Sequence, residues 1–126
     1  MFEPIPFYSL SEQHAAIRNE ALNAVTRVYD SNWFILGKEL EAFEAEFAAY
    51  SKVPYCIGVG NGLYALFIAL KACGIGPGDE VIVPAHTFLA TWIAVDRTGA
   101  RIIPVDADPL SGNISIDKLK AAVTEK

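Results

Sequence analysis

The sequence has no run of basic residues and few cysteines, and each of these absences excludes a class of protein. Its 10 lysines and arginines are outnumbered by 15 acidic residues and are dispersed along the chain, so no stripe of positive charge can follow a nucleic-acid backbone. The two cysteines, Cys56 and Cys73, have a spacing that fits neither a zinc site nor a redox pair. We therefore expect neither a nucleic-acid partner nor a bound metal.

The chain also has no long apolar stretch. No segment approaches the roughly 20 consecutive apolar residues of a membrane-spanning helix. Residues 1–4, Met-Phe-Glu-Pro, lack the basic and then apolar layout of a signal peptide. We expect no membrane association and a cytoplasmic location, with both cysteines acting as small apolar side chains.

What the sequence does contain predicts an α/β fold. Apolar residues make up 52% of the 126 residues, which is typical of segments that are buried on both faces. From residue 55 onward, short apolar runs alternate with longer apolar segments and with turns that are rich in glycine and proline. This order indicates a mostly parallel sheet with flanking helices. We expect strands at 55–59, 80–83 and 101–105, and helices at 63–73, 87–98 and near 117–124.

The first part of the chain has a different pattern. A short extended arm precedes two expected helices, at 11–29 and 38–50. We expect residues 1–54 to form this arm and helix pair, and residues 55–126 to begin an α/β domain. The aromatic loop that joins the helices, Trp33-Phe34-Ile35-Leu36-Gly37, either clips them together or borders a pocket or a subunit interface.

Three alternating glycines, at positions 58, 60 and 62, join the first expected strand to the next helix. The first N–H groups of a helix have no partner within the helix, and glycine allows a ligand to approach the backbone closely. The helix dipole favours a negative charge at this end. The stretch therefore predicts a phosphate site, although a glycine-rich turn that binds nothing would leave the same pattern.

A dinucleotide is one class of ligand that would bring a phosphate to this site. The fingerprint G-x-G-x-x-G requires glycine at position 63, where this chain has Leu63. The acid that would hold the ribose belongs at the end of the second strand, where this chain has Pro84 and His86. A nucleotide P-loop is excluded because no Gly-Lys-Ser/Thr occurs. A nucleotide-binding oxidoreductase is thus the weaker alternative.

The loop after the second strand indicates a different phosphorylated ligand. It carries His86, Thr87 and Phe88, and ligands of parallel sheets bind beyond the carboxyl ends of the strands. An aromatic side chain there can lie flat on a planar ring whose phosphate is held by the glycine loop. A planar ring with one phosphate suggests pyridoxal phosphate, although Phe88 would also fit a core position.

At this point the sequence resembles the DegT/DnrJ/EryC1/StrS family of sugar-nucleotide aminotransferases, which use pyridoxal phosphate on the type I aminotransferase fold. The resemblance covers essentially the whole chain and rests on an ordered series of motifs. They are Ile5-Pro6-Phe7, Phe34-Ile35-Leu36-Gly37, Gly60-Asn61-Gly62 with Ala65-Leu66, Gly74-Ile75-Gly76-Pro77-Gly78-Asp79-Glu80, Thr87-Phe88, Gly99-Ala100 and Val105-Asp106.

The resemblance implies that this chain is the amino-terminal portion of the large domain of a type I transferase. It implies that the N–H groups of Gly62 and Leu63 bind the cofactor phosphate and that Phe88 stacks on the pyridine ring. Trp33, Phe34 and His86 are candidates for the substrate pocket or the subunit interface. Many relatives have Thr-Asp at positions 63 and 64, so any hydroxyl contact from position 63 is lost here.

The resemblance also implies what the whole enzyme would do. It would transfer an amino group, with glutamate as donor, to a nucleotide-linked keto-deoxysugar, and it would be a homodimer. The family's Schiff-base lysine lies downstream of the aligned region, so we expect no catalytic residue among residues 1–126 and no activity from them alone. A binding or regulatory protein that keeps the cofactor pocket without transamination is the open alternative.

Overall fold

The computed structural model describes residues 5–125. Residues 1–4, on which the signal-peptide argument rests, and Lys126 lie outside the described residues. The chain forms two compact units, Met1–Gly58 and Val59–Lys126. In order, the elements are α1 (Ser11–Ser31), α2 (Lys38–Ser51), α3 (Gly62–Ala72), β1 (Glu80–Pro84), α4 (Ala90–Asp96), β2 (Arg101–Val105) and α5 (Ile116–Ala122).

The first unit is built on the helices α1 and α2, as the sequence predicts. A bidentate ion pair joins them. Arg27 Nε lies 2.6 Å from Glu39 Oε1, and Arg27 Nη2 lies 3.0 Å from Glu39 Oε2. The loop between the helices turns through Leu36 and Gly37, whose φ angles are 59° and 100°. Positive φ is unusual for leucine, so the tight turn holds this residue against its backbone preference.

The second unit is centred on a parallel pair of strands. In β1 and β2, Glu80 lies opposite Arg101 and Pro84 lies opposite Val105. Helix α4 links the two strands and packs against both, as a parallel connection requires. A core of Val83, Val95 and Ala100 lies beneath this crossover. The structure thus confirms an α/β arrangement with a small parallel sheet and flanking helices.

Helix α3 has well-defined signals at both ends. The side chain of Asn61 accepts a hydrogen bond from the N–H of Tyr64 at 3.1 Å and so caps the N-terminus. At the other end Gly74 adopts a φ of 83°. Its N–H donates to Lys71 O, and the N–H of Ile75 donates to Leu70 O, which is the Schellman pattern. Gly74 therefore ends this helix, as the sequence predicts.

The expected strand at 55–59 is absent from the structure. A strand is defined by hydrogen bonds to a neighbouring strand, and among the described residues this segment has no such neighbour. The N–H of Gly58 donates instead to the side chain of Glu44 at 2.7 Å. The prediction of a strand at 55–59 was therefore wrong.

The expected helix at 87–98 is shorter in the structure, where α4 spans Ala90–Asp96. The strand pairing continues one residue past β1, because the N–H of Ala85 donates to Val105 O at 2.8 Å. The chain then turns through residues 86–89 before the helix begins. As a result Phe88 lies in the turn, with 81% of its surface exposed, rather than on the apolar body of a helix.

Candidate functional site

The N-terminus of α3 presents two backbone donors without partners. Asn61 uses its side chain on the N–H of Tyr64 and its carbonyl on the N–H of Ala65. No hydrogen bond between described residues uses the N–H of Gly62 or that of Leu63. The capping pattern therefore leaves free the two donors that the sequence analysis assigned to a phosphate.

The space in front of these donors is open. A Cβ atom added to Gly60 or to Gly62 would meet no heavy atom within 4 Å, and neither glycine has a positive φ. The fold itself therefore does not require glycine at these two positions. A ligand that must come close to the backbone does require it.

A cavity of about 750 Å³ covers this helix end. One wall is the first turn and a half of α3, and the other is formed by the turn after β1 and by α4. Phe88 and Thr91 belong to this second wall. The hydroxyls of Thr87 and Thr91 lie 3.2 Å apart, which ties the turn to the start of α4. The lining residues are Asn61, Gly62, Leu63, Tyr64, Ala65, Leu66, Phe88, Ala90, Thr91 and Arg97.

The electrostatics of the cavity favour an anion. Among the described lining residues Arg97 is the only charged one, and no carboxylate is present. The guanidinium carbon of Arg97 lies 5.4 Å from the centre of the Tyr64 ring, in cation–π contact. Free N–H groups, a helix N-terminus and one arginine together produce a positive potential at this site.

The structure brings three of the predicted residues together. Gly62, Leu63 and Phe88 all line this cavity. His86 is exposed in the neighbouring turn and is not among the lining residues. The role of Gly62, Leu63 and Phe88 in binding the cofactor stays a prediction, because a cavity shows that a ligand has room and not which ligand it is.

Trp33 and Phe34 lie in the first unit. The indole N–H of Trp33 donates to Ile35 O at 2.6 Å, and Trp33 lines a separate cavity of about 420 Å³ next to the Arg27–Glu39 ion pair. Phe34 packs edge-on against Tyr29 with ring centres 6.2 Å apart. Both side chains remain about two-thirds exposed, at 66% and 63%. Their part in a substrate pocket or interface also stays a prediction.

The sequence analysis gave no role in the site to Asn61 or to Arg97, both of which line the cavity. Asn61 carries a recognisable signal, because asparagine before a helix is a common N-cap. Arg97 carries no such signal, since it follows the last turn of α4 and reaches the cavity only through the packing of α4 on α3.

The described part of the chain contains neither a cluster of side chains suited to a metal ion nor a membrane-spanning helix. No group of three or more His, Cys, Asp and Glu side chains there is arranged to hold a metal ion. No helix in residues 5–125 is long and apolar enough to cross a membrane. Hydrogen bonds lower the pKa values of two carboxylates near α5. Lys118 lowers the pKa of Asp106, and the N–H of Ser111 lowers the pKa of Asp108. None of these four residues lines the cavity.

The second unit is therefore a parallel α/β unit whose cavity, beyond the carboxyl end of β1, is lined by two free N–H donors and an exposed aromatic ring. The sequence model of the DegT/DnrJ/EryC1/StrS aminotransferase family matches residues 15–126. The chain belongs to this family.

Relatives and solved structures agree with this assignment. The chain is 51% identical over 102 residues to the dTDP-3-amino-3,4,6-trideoxy-alpha-D-glucose transaminase of Streptomyces venezuelae, covering 81% of this chain and 27% of that protein. It is 46% identical over 122 residues to a pleiotropic regulatory protein of Geobacillus stearothermophilus, covering 97% of this chain and 33% of the relative. The crystal structure of NtdA from Bacillus subtilis with bound cofactor PMP superposes with a TM-score of 0.90 at 35% identity, covering 99% of this chain and 29% of NtdA. The chain therefore spans about a third of the length of these proteins.

Proposed function

We propose that this chain forms the phosphate-binding and ring-binding part of a pyridoxal phosphate site in a sugar-nucleotide aminotransferase. One observation carries the proposal: the two unpaired N–H groups at the start of α3, those of Gly62 and Leu63, line the same cavity as the exposed ring of Phe88. Family membership and the PMP bound in NtdA support this choice of cofactor over other phosphorylated rings.

The residues of the cavity fit the cofactor in a simple way. Gly62 and Leu63 would donate their N–H groups to the phosphate, and the helix N-terminus would favour its negative charge. Phe88 would pack on one face of the pyridine ring, because its side chain is exposed and has no other aromatic partner among the described residues. When bound, the cofactor would supply the electron sink for amino transfer.

The chain provides binding rather than the covalent chemistry. No lysine is among the described residues that line the cavity. Among the described residues, two lysine amines form hydrogen bonds away from the cavity, Lys71 with Ile75 O and Lys118 with Asp106. A Schiff-base lysine must be held at the cofactor. We therefore propose that a part of the protein outside residues 1–126 supplies it, and that these residues alone are inactive.

The substrates follow from the family and from the names of the relatives. We propose a nucleotide-linked keto-deoxysugar as amino acceptor and glutamate as donor. The transaminase of Streptomyces venezuelae, with its dTDP-linked amino sugar, supports the first choice. His86 is a candidate for the substrate side, since it lies in the exposed turn that carries Phe88.

We further propose a homodimer in the cytoplasm. The loop between α1 and α2 exposes four successive apolar side chains, 63–80% of whose surface is accessible, and a patch of this kind is typical of an interface. The exposed residues are Trp33, Phe34, Ile35 and Leu36. Both cysteines are free thiols, as expected in a reducing compartment.

A regulatory protein with the same pocket is the second candidate. The relative from Geobacillus stearothermophilus, which covers nearly the whole chain, is named as a pleiotropic regulatory protein. Family membership in the aminotransferases leaves a nucleotide-binding oxidoreductase without support.

The test is a binding titration on the whole protein that carries this chain. PMP, which is not attached covalently, is compared with pyridoxamine, which has the same ring but no phosphate, by isothermal titration calorimetry. We expect PMP to bind at least tenfold more tightly. Equal affinities, or no binding, would reject the proposed phosphate site. Amino transfer from glutamate to a dTDP-linked keto sugar, followed by chromatography, separates the enzyme from the regulatory protein.

A further inference from the structure

Arg97 is a charged residue of the cavity whose guanidinium forms no ion pair or hydrogen bond with another described residue. It is the only ionisable group with a full charge among the described lining residues. None of the ion pairs or side-chain hydrogen bonds between described residues includes its guanidinium. Its guanidinium carbon lies 5.4 Å from the centre of the Tyr64 ring. Arginine normally satisfies its donors with carboxylates, carbonyls or phosphates, so these donors remain available to a ligand.

The position of Arg97 is fixed from both sides. Its backbone follows the last residue of α4, and its N–H donates to Ile93 O at 3.0 Å. Two residues earlier, the buried side chain of Val95, with 2% of its surface exposed, anchors this end of the helix in the core. On the other side Tyr64 belongs to the first turn of α3, where Asn61 caps its N–H. The cation–π contact therefore connects the end of α4 to the helix end that carries the free donors.

The other polar side chains of the cavity are already engaged or neutral. Asn61 is used in the cap, and Thr91 lies 3.2 Å from the hydroxyl of Thr87. Leu63 and Ala65 offer no polar side chain. An anion in this cavity thus has two backbone N–H groups, the helix dipole and one arginine without an ion pair among the described residues to attract it.

We propose that Arg97, held against the ring of Tyr64, is a specificity-determining residue that selects the phosphorylated form of the ligand. This inference rests on the proposed function and deepens it. Arg97 acts in addition to the N–H groups of Gly62 and Leu63, and Tyr64 is a positioning residue that limits the directions its guanidinium can take.

The experiment compares PMP with pyridoxamine in Arg97 variants of the whole protein. In Arg97→Gln we expect PMP to bind about three- to tenfold more weakly, the range for a partly exposed charge-assisted contact, while pyridoxamine binding stays the same. Arg97→Lys keeps the charge and restores part of the loss. The wild-type affinity for PMP falls with added salt, and this dependence becomes weaker in Arg97→Gln because one screened charge is gone.

Tyr64 and Lys120 supply the comparisons. Tyr64→Leu removes the ring and is expected to lose more PMP affinity than Tyr64→Phe, which keeps it. Lys120→Gln removes the same charge from a position in α5 that does not line the cavity, and its PMP affinity should equal that of the wild type. Thermal melts of all variants check folding, which an exposed Arg97 should not affect.

The outcomes separate this inference from the proposed function. If the wild type prefers PMP but Arg97→Gln binds it equally well, the role of Arg97 is overturned and the proposed site stands. If Lys120→Gln weakens PMP binding as much as Arg97→Gln, the effect is one of net charge and the inference is again overturned. If the wild type does not distinguish PMP from pyridoxamine, both the site and the role of Arg97 are rejected.

Discussion

Replacing Gly62 by alanine should separate the needs of the fold from those of the ligand. Gly62 is the first residue of α3 and has no positive φ, so alanine can adopt its backbone conformation. The added Cβ would meet no protein atom within 4 Å. Alanine also has fewer conformations in the unfolded chain, so we expect Gly62→Ala to raise the free energy of unfolding by about 0.4–1 kcal/mol.

The same methyl group should weaken ligand binding. It would occupy open space at the position from which a phosphate approaches the N–H groups of Gly62 and Leu63. Losing one hydrogen bond to a charged group costs about 1.5–3 kcal/mol, which corresponds to a roughly ten- to hundredfold loss of PMP affinity. Pyridoxamine, without the phosphate, should bind the variant as well as the wild type.

Gly99→Ala is the matched control for this substitution. Gly99 has a φ of 84°, and a Cβ there would lie 3.0 Å from Pro77 Cγ. Alanine at this position is strained, and we expect a loss of about 1–2 kcal/mol in the free energy of unfolding. Both variants are measured by urea denaturation and by PMP titration. A Gly62→Ala protein that is clearly destabilised, or that binds PMP as tightly as the wild type, would refute the reasoning.

Three further substitutions test the site and the fold. Phe88→Ala should change stability by less than about 0.5 kcal/mol because its ring is 81% exposed, yet weaken PMP binding about two- to tenfold through lost stacking; unchanged calorimetric affinity would contradict this. Val95→Ala, in the core at 2% exposure, should cost about 1.5–3 kcal/mol in urea denaturation, and a cost near zero would speak against this core. The pKa of Asp108 is lowered from 3.8, first by the N–H of Ser111. Its stabilising effect is therefore complete above pH 3.8 and is lost as the pH falls through the lower folded value. The melting temperature of Asp108→Asn should then vary less with pH in this acidic range, and an identical pH profile would exclude the effect.

The sequence predicted the two strands of the sheet because their signals are local. The expected strand at 101–105 and the observed β2 coincide, and β1 extends the expected strand at 80–83 by one residue to Pro84. Each apolar run is bounded by turn residues, such as Gly99 before β2, where the chain adopts a positive φ. The segment at 55–59 has an equally good apolar pattern but no neighbouring strand among the described residues. A local pattern can predict extended chain, whereas a strand also depends on a distant partner.

The sequence predicted one part of the candidate site and missed another. The expectation that the glycine loop and the loop after β1 meet came from the rule for parallel sheets, and the resemblance to the family assigned Gly62, Leu63 and Phe88 to the cofactor; these three residues line one cavity. Arg97 does not follow from any such rule. It lies at the far end of α4 from Phe88, and only the packing of α4 on α3 brings its guanidinium over Tyr64. Side chains that reach a site through helix packing require the three-dimensional structure.

The structure also changes which residue explains the free donors. Glycines alone do not determine which N–H groups of a helix are unpaired, because every helix begins with such groups. Asn61 decides this by satisfying the N–H of Tyr64 with its side chain and that of Ala65 with its carbonyl. The two N–H groups that remain belong to Gly62, which adds no side chain, and to Leu63, whose side chain cannot compete for them as a hydroxyl could. The proposed anion site is therefore a product of the cap, and the glycines keep the approach to it open.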